Sequence, residues 1–505
     1  MSDVLGVLGT SLLFAVPVLI SVGAAWHALL FKRDPRAALA WVVVCLSLPV
    51  IGVLFYFLFG INRVRARAQR REGEGRRWFV DFERGIRPSS LGDGGASRSP
   101  LYDQMSEAGY PVGIVQAAER VTGRALSENN RVTILRNGEQ TFPAMLEAIG
   151  NADKTIFLTT YIFENNRTGK EFVRALSAAG KRGVEIRVVV DGLGAWYSRG
   201  IVRALRKEGI DALRFKPPRL LPPSMGMNLR NHRKILVVDN RIAFAGGMNI
   251  GDRHLLEQPQ NKNPTADVQF CFEGPVAAQL TDIFLDTWGI CRGDQQSLAP
   301  AHFDSAVQNN NGDMDRDEEG KVGASMCRAI ADGPDDNLDK LELVFVAAMD
   351  SAQRSIRIMT PYFLPDQGMI AILQSAALRG LDVSIVLPEK NNLFYIHWAT
   401  RNMLWELLSC NVKVYYQPGT FVHTKLLLID ESYALVGSAN LDPRSLRLNY
   451  ELGVEVYDRA VATELIADFD AVVARSASIT QQSLDNRSLL ARTRDALCWL
   501  GSPYL

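Results

Sequence analysis

The pattern of apolar and polar positions divides the chain into an apolar start and two similar halves. In each half a buried strand is followed by an amphipathic helix and then by a second strand. These elements are 155–163, 171–183 and 184–191 in the first half, and 355–363, 368–380 and 381–388 in the second. Strands that alternate with helices of this length predict an α/β fold, with a mostly buried sheet in each half. Because the same order occurs twice, the pattern also predicts an internal duplication.

The start of the chain has a different pattern, since residues 4–31 and 37–62 contain no charged side chain. Each segment is long enough to cross a hydrocarbon core of ~30 Å, so they predict a membrane hairpin within 1–62. The short segment KRDPR between them predicts the turn. Signal-peptide and buried-helix readings are disfavoured, because no basic region precedes the first segment. The arginines between 63 and 77 favour a multi-pass protein of the cell membrane, with its main mass in the cytoplasm.

Two polar stretches mark the predicted domain boundaries. A basic and flexible linker is predicted at 63–111, because it combines arginines with the Gly, Ser and Pro of 83–100. A second, polar linker is predicted at 301–325, around NNNGDMDRDEEGK. The predicted domains are therefore 112–300 and 326–485, followed by a tail at 486–505.

Net charge and cysteine usage exclude several classes. A formal net charge of +1 gives no overall attraction to nucleic acid. The six cysteines are scattered without a CxxC pair, which disfavours a disulfide scaffold and a structural zinc site.

One motif occurs in both halves. Residues 231–249 read NHRKILVVDNRIAFAGGMN and residues 422–440 read VHTKLLLIDESYALVGSAN, with every shared residue 191 positions apart. Each copy predicts a β-hairpin, in which His232 and Lys234 project to one face of the first strand. If the first turn centres near Asn240, position 246 lies opposite 234 and position 248 opposite 232. The hairpin thus brings HxK beside G[GS]xN in both copies.

This combination predicts a site for a phosphate group without a metal. Imidazole, ammonium, carboxamide and exposed Gly amides together hold phosphate oxygens. The candidate catalytic residues are those of the motif: His232, Lys234, Asp239, His423, Lys425 and Asp430. The candidate phosphate-binding or orienting residues are Gly246, Gly247, Asn249, Asp267, Ser438, Asn440 and Glu451.

The acidic residues of this set are predicted to have different roles. Asp239 and Asp430 stand at the turns, so we interpret them as turn-forming and hydrogen-bonding residues more than as catalytic groups. Asp267 and Glu451 begin later strands and are the better candidates for orienting the imidazoles. Two intact copies at identical spacing argue against a chance match.

HRKILVVD with GGMN, and HTKLLLID with GSAN, resemble the paired HxKxxxxD signatures of the phospholipase D superfamily. The chain further resembles bacterial cardiolipin synthases of that superfamily in its apolar segment RDPRAALAWVVVCLSLPVIGVLFYFLFGINR, in GGMNIGDRH and GSANLDPRSLRLNYEL, and in its ending CWLGSPYL. The resemblance implies two mixed β-sheets flanked by helices and related by a pseudo-twofold axis. It also implies one active site at their junction.

The resemblance implies a phosphatidyl transfer between two phosphatidylglycerol molecules, giving cardiolipin and glycerol. It assigns His232 as the nucleophile and His423 as the acid and base, and it implies no metal and no nucleotide cofactor. The expected partners are phosphatidylglycerol and anionic membrane lipids, with no nucleic acid. The alternatives are a phospholipase D-type hydrolase, a phosphatidylserine-type transferase and a catalytically inactive membrane scaffold. The segment 217–229 either contacts the bilayer surface or packs on the core as an ordinary loop.

Overall fold

The computed structural model describes residues 2–32, 35–60, 100–198, 200–217, 228–293, 324–335 and 337–502. The chain forms two compact units, within 1–86 and 87–505. Each unit is described by itself. Most of the predicted linkers at 63–111 and 301–325, and most of the loop at 217–229, lie outside the described residues.

The N-terminal unit is helical. It contains α1 (Ser2–Phe31), α2 (Pro35–Ser47), α3 (Ile51–Phe55) and a π-helical turn (Tyr56–Gly60). The second apolar segment is not one continuous helix, because α2 ends before Pro49, whose ring restricts the preceding residue and removes a helical N–H. In the described part of the chain, no helix combines the length and the apolar character needed to cross a membrane.

The strands of the second unit come from both halves of the chain. The strands of the first half are β1 (Ser127–Arg136), β2 (Thr155–Thr160), β3 (Glu185–Asp191), β4 (Asp211–Phe215), β5 (Ile235–Val238), β6 (Ile242–Gly246), β7 (Thr265–Ala266) and β8 (Val268–Glu273). Those of the second half are β9 (Ser325–Asp332), β10 (Ser355–Met359), β11 (Asp382–Pro388), β12 (Lys413–Gln417), β13 (Phe421–Val422), β14 (Leu426–Ile429), β15 (Tyr433–Gly437), β16 (Glu451–Tyr457) and β17 (Ala477–Ile479).

The strand order repeats between the halves. Among the described residues, one sheet has the order β17-β12-β11-β10-β14-β15-β16-β9-β1-β8-β6-β5-β2-β3-β4. In each half three strands run parallel and the remainder pair antiparallel, so the sheet is mixed. The halves join through the antiparallel pair β1 and β9. The predicted α/β duplication is confirmed, and the two expected sheets are hydrogen-bonded into one.

Helices cover both faces of this sheet. Those of the first half are α4 (Pro100–Glu107), α5 (Val112–Thr122), α6 (Asn137–Gly150), α7 (Arg167–Lys181), α8 (Gly194–Tyr197), α9 (Ile201–Lys207) and α10 (Val276–Arg292). Those of the second half are α11 (Lys340–Asp350), α12 (Gln367–Leu378), α13 (Phe394–Leu408), α14 (Pro443–Arg447), α15 (Arg459–Val473), α16 (Gln481–Asp485) and α17 (Leu489–Leu500). Side chains of α10 and α15 share one core with strands of both halves, which makes the junction part of the hydrophobic interior.

The predicted elements are present with shifted ends. The first strand stops at Thr160, short of the predicted 163, and the chain then turns toward the histidines. The following helix begins at Arg167 because Asn166 caps it, accepting a hydrogen bond from the Gly169 N–H at 3.2 Å. Helix α17 lies in the predicted tail and packs along α13. There the buried Asp495 carboxylate binds Arg401, Arg487 and Arg494 at 3.0, 2.6 and 2.8 Å.

Candidate active site

Each copy of the motif forms the predicted hairpin. Strand β5 pairs with β6 from Ile235 opposite Ala245 to Val238 opposite Ile242. The same register continues to Lys234 opposite Gly246, as predicted. Strands β5 and β14 are apolar and buried along their whole length. Their burial fixes the position of the HxK residues that come just before them.

The two HxK segments lie in a shared, mostly buried site. The His232 and His423 side chains are 13% and 12% exposed. The Lys234 ammonium donates a hydrogen bond to the His232 carbonyl at 2.6 Å, and Lys425 donates to the His423 carbonyl in the same way. Each lysine is thus folded back onto the backbone of its own motif.

Each imidazole faces a carboxylate of the opposite half. His232 Nδ1 lies 3.0 Å from Glu451 Oε2, and the His232 N–H donates to the Tyr450 carbonyl at 2.9 Å. His423 repeats this geometry with the first half: its Nδ1 lies 3.0 Å from Asp267 Oδ2. Its N–H donates to the Ala266 carbonyl at 2.8 Å.

Short parallel strand pairs place each histidine against the carboxylate of the opposite half. Strand β13, directly before His423, pairs with β7, directly before Asp267. The corresponding bridge in the other direction joins Asn231 to Tyr450. An Nδ1–H donated to a carboxylate leaves the Nε2 lone pair on the opposite side of the ring, available to a reacting atom.

Burial and the neighbouring charges set the protonation of the two imidazoles. Burial lowers the pKa of His232, although Glu451 opposes the effect. Burial lowers the pKa of His423 further below its ordinary value, and Lys425, Lys234 and His232 add to the effect. Both effects favour neutral imidazoles near pH 7.

The carboxylates differ from each other. Burial alone would raise the pKa of Glu451, but His232, Lys234 and the Ser438 hydroxyl together hold it below its ordinary value. For Asp267 burial prevails and raises the pKa, with Lys425 only partly opposing it. Glu451 is thus the more firmly ionised of the two partners.

The lysines lose much of their basicity. Burial lowers the pKa of Lys234 to about 7 and that of Lys425 to about 8. The Lys425 charge adds to the effect on Lys234, whereas Glu451 and Asp267 oppose the effect of burial on both lysines. A bound anion would restore both pKa values, so the site is electrostatically suited to a phosphate oxygen.

The predicted phosphate-binding residues divide into two groups. Asn249 and Asn440 lie on the loops after β6 and β15. Asn249 Oδ1 accepts a hydrogen bond from the Ile162 N–H at 3.0 Å. Asn440 Nδ2 donates to the Ser445 hydroxyl at 3.1 Å, and its Oδ1 is buried without a partner among the described residues.

Ser438 and Gly247 contact the carboxylates. The Ser438 hydroxyl donates to Glu451 Oε2 at 2.5 Å and accepts from the Leu452 N–H at 2.9 Å. Gly247 occupies the equivalent position in the first half, where a Cβ atom would lie 2.8 Å from Asp267 Oδ2. The glycine therefore makes room for the shorter carboxylate, whereas the serine holds the longer one. Gly246 adjoins Gly247, at the end of β6.

Asp239 and Asp430 lie at the far ends of the motif strands, away from the histidines. The Asp239 carboxylate accepts hydrogen bonds from the backbone N–H groups of residues 153–155 at 2.7 to 2.8 Å. Asp430 does the same for residues 353–355 at 2.8 to 3.3 Å. Their inclusion among the candidate catalytic residues is therefore not matched by their position.

Several residues near the site belong to no recognisable sequence motif, and the sequence analysis missed them. The Tyr161 ring lies 5.3 Å from the His232 ring in an edge-to-face contact, and burial raises the pKa of its phenol to about 12. Asn449 donates to Glu451 Oε1 at 3.0 Å. His254 is fully buried, with Nδ1 3.1 Å from the Thr265 carbonyl. The one signal in the sequence was position: Tyr161 lies near the end of the predicted strand 155–163, and Asn449 lies two residues before Glu451.

Within the ranges that the structure describes, no group of three or more His, Cys, Asp or Glu side chains is arranged to hold a metal ion.

Comparison with known proteins identifies the family. The family described as "Cardiolipin synthase, PLD-like domain" matches residues 145–288 and 345–473, and the family described as phospholipase D-nuclease N-terminal matches residues 19–60. The cardiolipin synthase of Geobacillus sp. (strain WCH70) is 31% identical over 499 residues, which cover 98% of this chain and 94% of that protein. The major cardiolipin synthase ClsA of Bacillus subtilis (strain 168) is 29% identical over 497 residues, 98% of each chain.

A solved structure shares the fold. Phosphatidylserine synthase from Haemophilus influenzae Rd KW20 aligns with a TM-score of 0.57 at 14% identity, over 78% of this chain and 100% of that chain. The resemblance inferred from the paired motifs is confirmed by the family match. Since the match covers both halves, and relatives near 30% identity span almost the whole length, the chain belongs to the cardiolipin synthase family of phospholipase D-like proteins.

Proposed function

We propose that this protein is a cardiolipin synthase, transferring a phosphatidyl group from one phosphatidylglycerol to another and releasing glycerol. The observation that carries the proposal is the pair of imidazoles, each held by a carboxylate of the opposite half, beside two buried lysines. Two histidines fit a two-step exchange of one phosphodiester for another. The similarity to proteins named cardiolipin synthase supports a lipid as the acceptor.

In the first step, His232 Nε2 attacks the donor phosphorus. The ionised Glu451 favours this role, because it keeps the proton on Nδ1 and the Nε2 lone pair free. The anionic phosphate of the bound donor raises the pKa of His423, which therefore enters this step protonated. The bond from phosphorus to the glycerol oxygen breaks, and His423 gives that oxygen its proton. The products of this step are glycerol and a phosphatidyl-histidine.

In the second step, a hydroxyl of the acceptor phosphatidylglycerol attacks the same phosphorus. His423, now neutral, takes the proton of this hydroxyl, and the bond from phosphorus to His232 breaks. Cardiolipin leaves and both histidines regain their initial states. Since one phosphodiester replaces another, no external energy source is needed.

The cationic and amide groups stabilise the charge that develops on the phosphoryl oxygens. Lys234 and Lys425 supply positive charge in a buried site, where solvent screens it little. Asn249 and Asn440 lie on equivalent loops and are suited to add hydrogen bonds. Asp239 and Asp430 take no part in this scheme and support the hairpins.

We further propose that the N-terminal unit attaches the protein to the cell membrane, with the catalytic unit in the cytoplasm. Large apolar side chains of this unit are exposed, among them Leu19, Trp26, Leu30, Leu39 and Val50, at 58 to 69% of their surface. Side chains of this kind favour contact with lipid over water. Attachment as a hairpin that crosses the bilayer is the arrangement expected from the sequence.

The transfer reaction is tested with purified full-length protein, labelled phosphatidylglycerol and EDTA in mixed micelles. We expect equal amounts of labelled cardiolipin and released glycerol. Formation of phosphatidic acid without cardiolipin would instead establish hydrolysis. If the phosphatidyl group is transferred only to added alcohols and no cardiolipin forms, the protein is a different transferase.

The nucleophile is tested by trapping a labelled phosphoenzyme in denaturing detergent at neutral pH, because acid would cleave the bond between phosphorus and the imidazole nitrogen. His423→Asn should retain the label, because loss of the acid and base slows the second step, whereas His232→Asn should retain none. Label on His232→Asn would reverse the assignment.

The topology is tested with an impermeant maleimide on intact spheroplasts. A crossing hairpin predicts labelling of Arg36→Cys and protection of the half-buried Cys410 in the catalytic unit until the cells are opened. Protection of both positions would indicate attachment from the cytoplasmic side alone.

A further inference from the structure

The loop between Ser438 and Glu451 is fastened at both ends to the partner of His232. Ser438 donates to Glu451 Oε2 at 2.5 Å, and Asn449 donates to Glu451 Oε1 at 3.0 Å. Helix α14 lies between these two contacts and is capped by Asp442, which accepts from the Arg444 and Ser445 N–H groups at 2.9 Å. The loop therefore holds Arg444 next to the site in a fixed backbone conformation.

Arg444 has an equivalent in the first half that is already neutralised. Arg253 lies 191 positions earlier, at the same place after the first motif. Its guanidinium forms an ion pair with Glu164, with Nε donating to Oε1 at 2.7 Å. Among the described residues, no carboxylate lies within ion-pair distance of the half-buried Arg444 guanidinium. The duplication thus leaves one of two equivalent cations available to a ligand.

The charge of Arg444 acts on the group that packs against His232. It opposes the effect of burial on the Tyr161 phenol, whose ring lies 5.3 Å from the His232 ring. The cation is therefore close to the reacting centre but belongs to neither HxK motif. A second anion bound there would lie beside the phosphate that His232 attacks.

A further polar atom points to the nature of this ligand. Asn440 is 3% exposed, and its Oδ1 has no hydrogen-bond partner among the described residues. Because a buried acceptor without a partner is costly, the atom is suited to a hydroxyl group of the substrate. Arg444 and Asn440, four residues apart, thus combine a phosphate-binding cation with a hydroxyl acceptor.

We propose that Arg444 binds the phosphodiester of the acceptor lipid while Asn440 accepts a hydrogen bond from its glycerol hydroxyl. This inference rests on the proposed transfer between two phosphatidylglycerol molecules, which brings two phosphates to one site. The lysines hold the phosphate that is transferred, and the second phosphate requires a cation of its own. Water and free glycerol carry no phosphate, so Arg444 selects a lipid as the acceptor.

The test compares two acceptors of the same phosphatidyl-enzyme. Full-length protein is given phosphatidylglycerol with labelled free glycerol, and cardiolipin formation is measured against exchange of the label into phosphatidylglycerol. Arg444→Gln should lower cardiolipin formation about tenfold more than glycerol exchange, since it removes one charged hydrogen bond to the lipid acceptor alone. Arg444→Lys should recover part of the ratio.

Arg253→Gln is the matched control, because it alters the equivalent position next to the other histidine. Loss of its ion pair should lower both rates in proportion and leave their ratio within about twofold. An unchanged ratio in Arg444→Gln, or an equal change in both arginine variants, would overturn the assignment. Wild-type enzyme that exchanges glycerol yet makes no cardiolipin would instead refute the proposed function itself.

Discussion

Each imidazole of the site donates through Nδ1 to a carboxylate that belongs to the opposite half. The two pairs are not equivalent. Glu451 receives additional hydrogen bonds from Ser438 and Asn449, whereas Asp267 receives one from the Val268 N–H at 2.9 Å. A carboxylate with more donors is the more firmly ionised, which suits the histidine that must keep its Nε2 unprotonated for attack.

Glu451→Gln should therefore lower kcat about hundredfold, because the amide no longer fixes the Nδ1–H form of His232. Ser438→Ala should cost about tenfold, by loosening the same carboxylate. The measurement is kcat and KM for both variants and for the double variant. If Ser438 acts only through Glu451, Ser438→Ala has little further effect in the Glu451→Gln background. Multiplying losses would show that Ser438 contacts the substrate instead.

The lysines predict the basic side of the pH profile. Because burial lowers the pKa of Lys234 to about 7 and of Lys425 to about 8, both ammonium groups of the free enzyme lose their protons as the pH rises through this range. The transfer requires the charged forms, so kcat/KM should fall above about pH 7 to 8. Bound substrate raises both pKa values, which moves the corresponding fall in kcat to higher pH.

Lys234→Arg separates this effect from others, because the guanidinium stays protonated. We expect a lower maximal rate and a basic limb displaced to higher pH. Lys181→Arg, an exposed change in helix α7, should leave the profile of the wild type. A basic limb at the same pH in Lys234→Arg and Lys425→Arg would assign it to another group.

Among the elements, the motif hairpins explain why the aspartates accompany the histidines at fixed spacing. Asp239 and Asp430 adopt positive φ values of 51° and 52° at the turns, a conformation that aspartate tolerates better than most residues. From there each carboxylate binds the backbone that begins the neighbouring strand, β2 or β10. The hairpin is thereby fastened to the strand that pairs with it.

Asp239→Ala should therefore reduce stability rather than chemistry. Loss of three hydrogen bonds to a carboxylate should lower the free energy of unfolding by about 2 kcal/mol. The activity per folded molecule, measured at low temperature after titration of active sites, should stay within about threefold of the wild type. Asp430→Ala should behave alike, and a large fall in kcat without loss of stability would return these aspartates to the catalytic machinery.

The sequence predicted these hairpins well because their information is local. An apolar run, a turn and a second run fix the register from neighbouring residues, and the observed pairing of β5 with β6 has that register. The ends of elements were predicted less well, as at Thr160, where the chain leaves the sheet for the site. The placement of Ser438 against Glu451 was missed, because it depends on the pairing of β15 with β16.

At the scale of the molecule, the sequence did not predict that each histidine faces a carboxylate of the opposite half. This arrangement depends on β7 and β13, two-residue strands from opposite halves that pair in parallel. Segments so short have no periodicity to read, and their pairing is fixed by the packing of the two halves. The sequence predicted the duplication and the orienting role of Asp267 and Glu451, but not which histidine each of them faces.

The junction also predicts how the catalytic unit unfolds. Arg233, between His232 and Lys234, is 1% exposed and joins the halves through its guanidinium. It donates to the carbonyls of Glu451 and Asp332 at 3.0 and 2.9 Å, and to the Thr287 hydroxyl at 3.0 Å. The halves also share a sheet through the pairing of β1 with β9. Separating the halves would therefore expose the edges of these two strands.

Unfolding of the catalytic unit should therefore occur in one transition, with activity lost at the same temperature. Arg233→Met should lower the unfolding free energy by about 3 kcal/mol, because it leaves buried carbonyls without donors. The same change should lower kcat, since the Glu451 carbonyl contact lies next to the carboxylate that orients His232. Arg174→Met, an exposed substitution in α7, should alter neither quantity.

The measurement is calorimetry of the full chain in detergent, with tryptophan fluorescence and activity followed in parallel. Together these give the number of transitions, the free energy of unfolding and the activity. Two separate transitions in the wild type would mean that the halves fold independently and that the site forms by their docking, contrary to a core that α10 and α15 share.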